Sequence, residues 1–176
     1  MKSIHKESKM KRTVVGVYDR YEDVIETIEA LDNAGIDKKL ISVIGKGNEK
    51  TRNRFEYYKH SQDAAFWGEL GAFWGAIVGF LLGAFMTWIP GVGPVIAAGP
   101  LMNALAGLAA GSVVGGSLSA LVAVLVDWGM TEAEAKRYED LVKQGKFLVI
   151  VHGDEEVMKK VRDLMNGHTN REVKLH

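Results

Sequence analysis

The chain contains no cysteine, which excludes a disulfide scaffold, a thiol nucleophile and any cysteine-ligated zinc or iron–sulfur centre. It has no surplus of charge either, since 22 Lys+Arg balance 22 Asp+Glu. That balance removes the basic face that nucleic-acid binding needs, and no nucleic-acid partner is expected. Only three prolines occur, and all of them fall in one short stretch, Pro90, Pro94 and Pro100. The most informative absence is local. From Leu70 to Val126 there is no Asp, Glu, Lys, Arg or His, so every charge lies in the two flanks. Nothing at the start resembles a secretory signal, because Lys2, Lys6, Lys9, Lys11 and Arg12 leave no apolar core there. Disorder is excluded as a class, with 47% of the 176 residues hydrophobic.

What is present falls into a repeated pattern around an insertion. Val14-Val15-Gly16-Val17 predicts a strand; Val24, Ile25, Ile28 and Leu31 then recur at helical spacing until Asn33-Ala34-Gly35 stops the helix. The second flank repeats this with Phe147–Val151, then Val157, Met158, Val161 and Leu164, then Asn166-Gly167. Further strands are expected at Leu40–Ile44 and Glu172–Leu175. Two β-α-β halves in this order predict an α+β fold with a ferredoxin-like βαββαβ domain, interrupted between its second and third strands. The expected organisation is a basic tail (1–12), the two domain halves (13–49 and 145–176), a connector (50–63), an apolar helical hairpin (64–128) and a bridging helix (129–144). Thr131 and Glu134 form a capping-box pattern for that helix, with Lys136, Arg137, Glu139, Asp140 and Lys143 expected in water.

The insertion predicts two long apolar helices, Ala64–Trp88 and Leu101–Val126. About 25 residues at 1.5 Å each give roughly 37 Å, enough to cross a hydrocarbon core. Pro90, Gly91, Gly93, Pro94, Gly99 and Pro100 are expected to form the turn between them. Small residues recur every fourth position: Gly71, Gly75, Gly79 and Gly83 with Gly68 before them, and Gly107, Gly111, Gly115 and Ser119 on the second helix. Such stripes let helix backbones approach closely in lipid, so these nine residues are expected to pack helix on helix as a glycine zipper. Trp67, Trp88 and Trp128 mark the interfaces, and basic residues lie only outside the block. Both termini are therefore expected to be cytoplasmic, with the hairpin in the inner membrane and the lipid bilayer as a partner. The alternative is a cytoplasmic homo-oligomer whose apolar helices shelter one another.

No residue pattern assigns catalysis, a cofactor or a metal. The five histidines show no ligand spacing, and His152 reads as a polar strand end. Asp19 and Asp154 are expected to cap the helices that follow them. Ser112, Ser117 and Ser119 lack a His or Asp nearby to activate them, and Gly45-Lys46-Gly47 opens no helix that would cradle a phosphate. The expectation is a non-enzymatic protein.

Three segments resemble the bacterial general stress proteins of the seventeen-M type, in particular the hairpin-bearing branch described as low-temperature-induced or membrane proteins. They are Val14–Gly35, the linker Ile89-Pro90-Gly91-Val92-Gly93-Pro94 running on to Leu101, and Gly129-Met130-Thr131-Glu132-Ala133-Glu134 running on to Glu139. The resemblance implies association with stress and contact with a membrane or an assembly, and it brings no catalytic residues. The favoured expectation is a self-associating, membrane-anchored stress protein. A soluble homo-oligomeric scaffold and a small-ligand sensor stand as the alternatives.

Overall fold

The structure, a computed structural model, describes residues 11–47, 86–89, 92–110, 118–168 and 172–176. Strand β1 (Lys11–Tyr18) leads into helix α1 (Tyr21–Asn33). A single 3-10 turn at Lys38–Leu40 precedes β2 (Ile41–Lys46). Then come β3 (Met86–Ile89), β4 (Gly93–Ala98), α2 (Pro100–Ala110) and α3 (Ala120–Asp127). The chain closes with α4 (Glu132–Lys143), β5 (Phe147–Asp154), α5 (Glu155–His168) and β6 (Val173–Leu175).

The six described strands join one sheet in the order β3-β4-β2-β5-β1-β6, and each neighbouring pair is antiparallel. The two β-α-β halves meet at its centre, where Val14 of β1 stands opposite Val151 of β5. Both faces are covered. On the first face Val14, Val43, Val149 and Val151 pack against Val24, Ile28 and Leu31 of α1 and Met158, Val161 and Met165 of α5. On the second face Val15, Ile44, Leu148 and Ile150 meet Leu101 and Leu105 of α2, Leu121 and Leu125 of α3, and Tyr138 and Val142 of α4. Alternate strand residues point to opposite faces, so two covered faces require unbroken apolar runs such as Leu148–Val151.

Several expectations about the insertion are corrected. The linker is not the tip of a helical hairpin. Gly93 and Pro94 open β4, which pairs with β2 on one side and β3 on the other, and the reversal is a strand turn closed by Val92 N–H donating to the Ile89 carbonyl at 3.0 Å. Gly99 and Pro100 join β4 to α2, with Pro100 at the first helical position, where a missing N–H costs nothing. Pro90 and Gly91 lie outside the described residues. Leu101–Val126 is not one continuous helix. Ser119, at φ −71° and ψ 159°, is extended backbone and caps α3 through Val122 N–H. Within this stretch Leu101, Leu105, Leu121 and Leu125 serve the second sheet face. Among the described residues, no helix is long and apolar enough to cross a membrane.

The capping box at Thr131 is present as expected. Glu139, however, is buried rather than in water. Asp19 does not cap α1; Arg20 occupies that position without a side-chain cap bond, and Asp19 pairs with Lys146. At the other end of α3, Gly129 takes a φ of +97°, and the N–H of Met130 reaches back to the Leu125 carbonyl at 3.2 Å. This left-handed stop turns the chain directly into α4.

Candidate functional site

The residues assigned to helix packing are placed as follows. Gly68, Gly71, Gly75, Gly79, Gly83, Gly111 and Gly115 lie outside the described residues. Gly107 sits on the exposed side of α2, with open space where a side chain would be. Ser119 joins two helices through polar chemistry: its hydroxyl donates to Glu139 on α4, which also accepts from Lys143 at 2.5 Å. Glu139 escapes notice in the sequence because its neighbours on α4 are charged and solvated.

The densest polar cluster among the described residues is a seam on the second sheet face, where β1, β5 and β6 pass beneath α4. Register builds it. Thr13 stands opposite His152 across the β1–β5 ladder, and Thr13 and His176 exchange two backbone hydrogen bonds, at 3.1 and 2.7 Å. Thr13 is fully buried. Its hydroxyl donates to the Trp128 carbonyl at 2.8 Å, so its oxygen accepts from His152 Nδ1, also at 2.8 Å. The Trp128 ring stacks on His152 with centroids 5.1 Å apart. Burial and the Lys11 charge lower the His152 pKa, against the opposing charge of Asp127. A hydroxyl whose proton is committed to a carbonyl, beside an imidazole that donates to it, is not an activated nucleophile.

On the other side of Thr13, Tyr138 Oη lies 2.9 Å from His176 Nε2, and His176 Nδ1 lies 3.4 Å from Glu134. A carboxylate only accepts, so the ring hydrogen sits on Nδ1 and Nε2 accepts from the tyrosine. Burial lowers the His176 pKa although Glu134 opposes it, and burial raises that of Tyr138 well above the ordinary phenol value. Thr131 holds the Glu134 pKa down through hydrogen bonds. One turn along α4, both Nη atoms of Arg137 donate to Glu172, one at 2.6 Å, and hold its pKa at about 2. No group of three or more potential ligands among the described residues is placed to hold a metal ion. The seam fastens β6 to α4 and β1.

His152 was visible in the sequence as a strand end. Its partners were not, because Thr13 and His152 lie 139 residues apart.

Residues 13–87 match the family model of the heat induced stress protein YflT domain. The match covers β1, α1 and β2 and reaches into β3, which is under half of the 176-residue chain. It supports a place among bacterial general stress proteins. No curated protein and no solved structure matches the chain.

Proposed function

We propose that this protein is a non-enzymatic, stress-associated assembly protein, a cytoplasmic homo-oligomer built on an enlarged ferredoxin-like domain. The order β2-β5-β1-β6 supports the ferredoxin-like reading, with β3 and β4 as additions that extend the sheet and α2–α4 as additions that cover its second face. The observation that carries the proposal is the use of both ends of the second apolar stretch, Leu101 and Leu105 on α2 and Leu121 and Leu125 on α3, as cover for the sheet. A membrane hairpin then lacks its second leg.

Topology adds a further argument. Lys46 and Thr87 both stand level with Val95, two strands apart in one sheet, so a chain that leaves β2 must come back to the same side of any membrane to enter β3. A membrane excursion between them needs two crossings, or about 40 apolar residues, and the charge-free run before Met86 begins only at Leu70. One crossing would require the connector, with Lys50, Arg52, Arg54, Glu56 and Lys59, to pass through lipid. Self-association through the stripe Gly71, Gly75, Gly79 and Gly83 remains the reading for that run. The heat-stress domain match supports the association with stress. The second reading is peripheral contact of the same run with the inner membrane.

The test is membrane fractionation with an alkaline wash, followed by mass measurement with and without detergent. A washable protein with a multiple of the chain mass in plain buffer supports the assembly reading, and Gly75→Leu with Gly79→Leu should reduce that mass. A protein that resists the wash and comes out only in detergent overturns it.

A further inference from the structure

We propose that His176 is a proton-operated latch, which holds the end of β6 on β1 while its ring is neutral and releases it when the ring is protonated. The strand is short and lies at the edge of the sheet, paired with Val14, Val15 and Gly16 of β1 and bonded to Thr13 and Val17 at its ends. Val173 and Leu175 pack on the first core, so on the second face its hold comes from side chains at its two ends. So short an edge strand depends on its side-chain attachments. There are two, Glu172 to Arg137 at one end and His176 to Tyr138 and Glu134 at the other.

The direction of the Tyr138 bond makes the second attachment sensitive to protons. Neutral His176 accepts at Nε2 from a hydroxyl on a side chain that is 1% exposed. A proton on Nε2 turns that acceptor into a donor and leaves the buried hydroxyl hydrogen without a partner, an unfavourable state relieved by moving the ring outward. The ring carries Thr13's two backbone bonds with it. His152 is not the trigger, because its Nδ1 already carries the hydrogen that Thr13 accepts, and protonation at Nε2 leaves that bond intact.

The charges around the ring come from two elements and oppose each other. Glu134 on α4 and Glu172 beside β6 favour the imidazolium; Lys174 on β6 opposes it, and Arg137 on α4 is neutralised by Glu172. On β1 the neighbour is Thr13, uncharged, and beyond it lie His152 with Lys11 and Asp127. The β6 residues that pack into the α1 and α5 core are Val173 and Leu175, on the opposite face of the sheet. Burial outweighs the acids and depresses the folded-state pKa. The sign follows. A base with a depressed folded pKa stabilises above its unfolded value of about 6.5, and this contribution is lost as pH falls. Glu172 keeps its charge throughout that window, so the fraying starts at His176 and stops at Glu172.

The test is amide-resolved hydrogen exchange on the full chain at pH 7.5 and pH 5.0, corrected for intrinsic exchange. Protection of Thr13, Lys174 and His176 should fall at least tenfold at the lower pH while Val149 and Val151 keep theirs. His176→Gln, whose amide oxygen still accepts from Tyr138, should retain protection at both values. Tyr138→Phe should flatten the pH dependence even if its overall protection is lower. Equal protection at both pH values in the unaltered chain overturns the latch. So does a pH-dependent loss that persists in His176→Gln, or one shared evenly by the central strands.

Discussion

At Gly99 a methyl group would sit 2.1 Å from the Ile41 carbonyl oxygen, on a backbone whose φ of +82° L side chains rarely adopt. Gly99→Ala should therefore cost about 3 kcal/mol, combining left-handed strain with displacement of β2. Gly35→Ala shares the strain, at φ +76°, but has open space around it, and should cost only about 1 kcal/mol. Urea titration separates the two; equal losses would mean that β4 and α2 do not press on β2. Ser119 permits a similar test. If smallness alone matters there, Ser119→Ala is neutral. As a helix cap that also donates to Glu139, it should lose about 1–2 kcal/mol on that change, read from the same titrations. The Arg137–Glu172 pair sets an acid window of its own. Its carboxylate pKa is depressed to about 2, so its contribution is present above the ordinary value of about 4.3 and is lost as pH falls toward 2. Glu172→Gln should flatten the stability profile below pH 4 and cost at most about 1 kcal/mol at pH 7, because the pair is partly exposed.

Among the elements, β5 is the most telling. Ile150 points to α2–α4 and Val151 to α1 and α5, and both are fully buried. Ile150→Asp and Val151→Asp should each abolish the cooperative thermal transition by burying an unpaired charge. A sheet covered on one face only would tolerate the first, so circular dichroism melts of the pair decide the matter. The strands and helices of the two flanks were legible in the sequence because short runs rich in β-branched residues, helical spacing and glycine stops agree there, as at Val14–Val17 and at Val24, Ile28, Leu31 and Gly35. The middle of the chain was illegible for the opposite reason. Val95-Ile96-Ala97-Ala98 and Leu121–Val126 are apolar throughout, and without a polar face a buried strand, a core helix and a membrane helix look alike. One sign was available: the unbroken run Leu148–Val151 already requires cover on both sides, and Leu101–Val126 is the nearest material to provide it. The seam was less legible still. Tyr138, His176 and Thr13 meet only through the register of β1 with β5 and β6.

For the whole molecule, the two covered faces change what can be removed. Joining Lys46 directly to Lys146 would preserve the four strands of the repeated halves but bare Val15, Ile44, Leu148 and Ile150. That shortened chain should fail to fold cooperatively. Replacing residues 48–85 by a flexible linker of about a dozen residues, the length a crossover between the parallel strands β2 and β3 needs, instead leaves both described cores intact. It should melt cooperatively and remain a monomer in light scattering; a cooperative first variant and an unfolded second would reverse the assignment of the core. The position of β1 has a consequence for biosynthesis. Its sheet partners are β5 and β6, the last two strands of the described chain, so β1 leaves the ribosome well before its described partners, residues 147–175, emerge. At about 5–20 residues per second that interval lasts on the order of ten seconds. Throughout it the nascent chain presents Val14, Val15 and Val17 beside a long charge-free stretch, with both edges of the strand open to any passing chain. Contacts this distant in sequence also make for slow folding. The same topology that seats β1 between β5 and β6 leaves its apolar residues uncovered by their described partners for the whole of that interval.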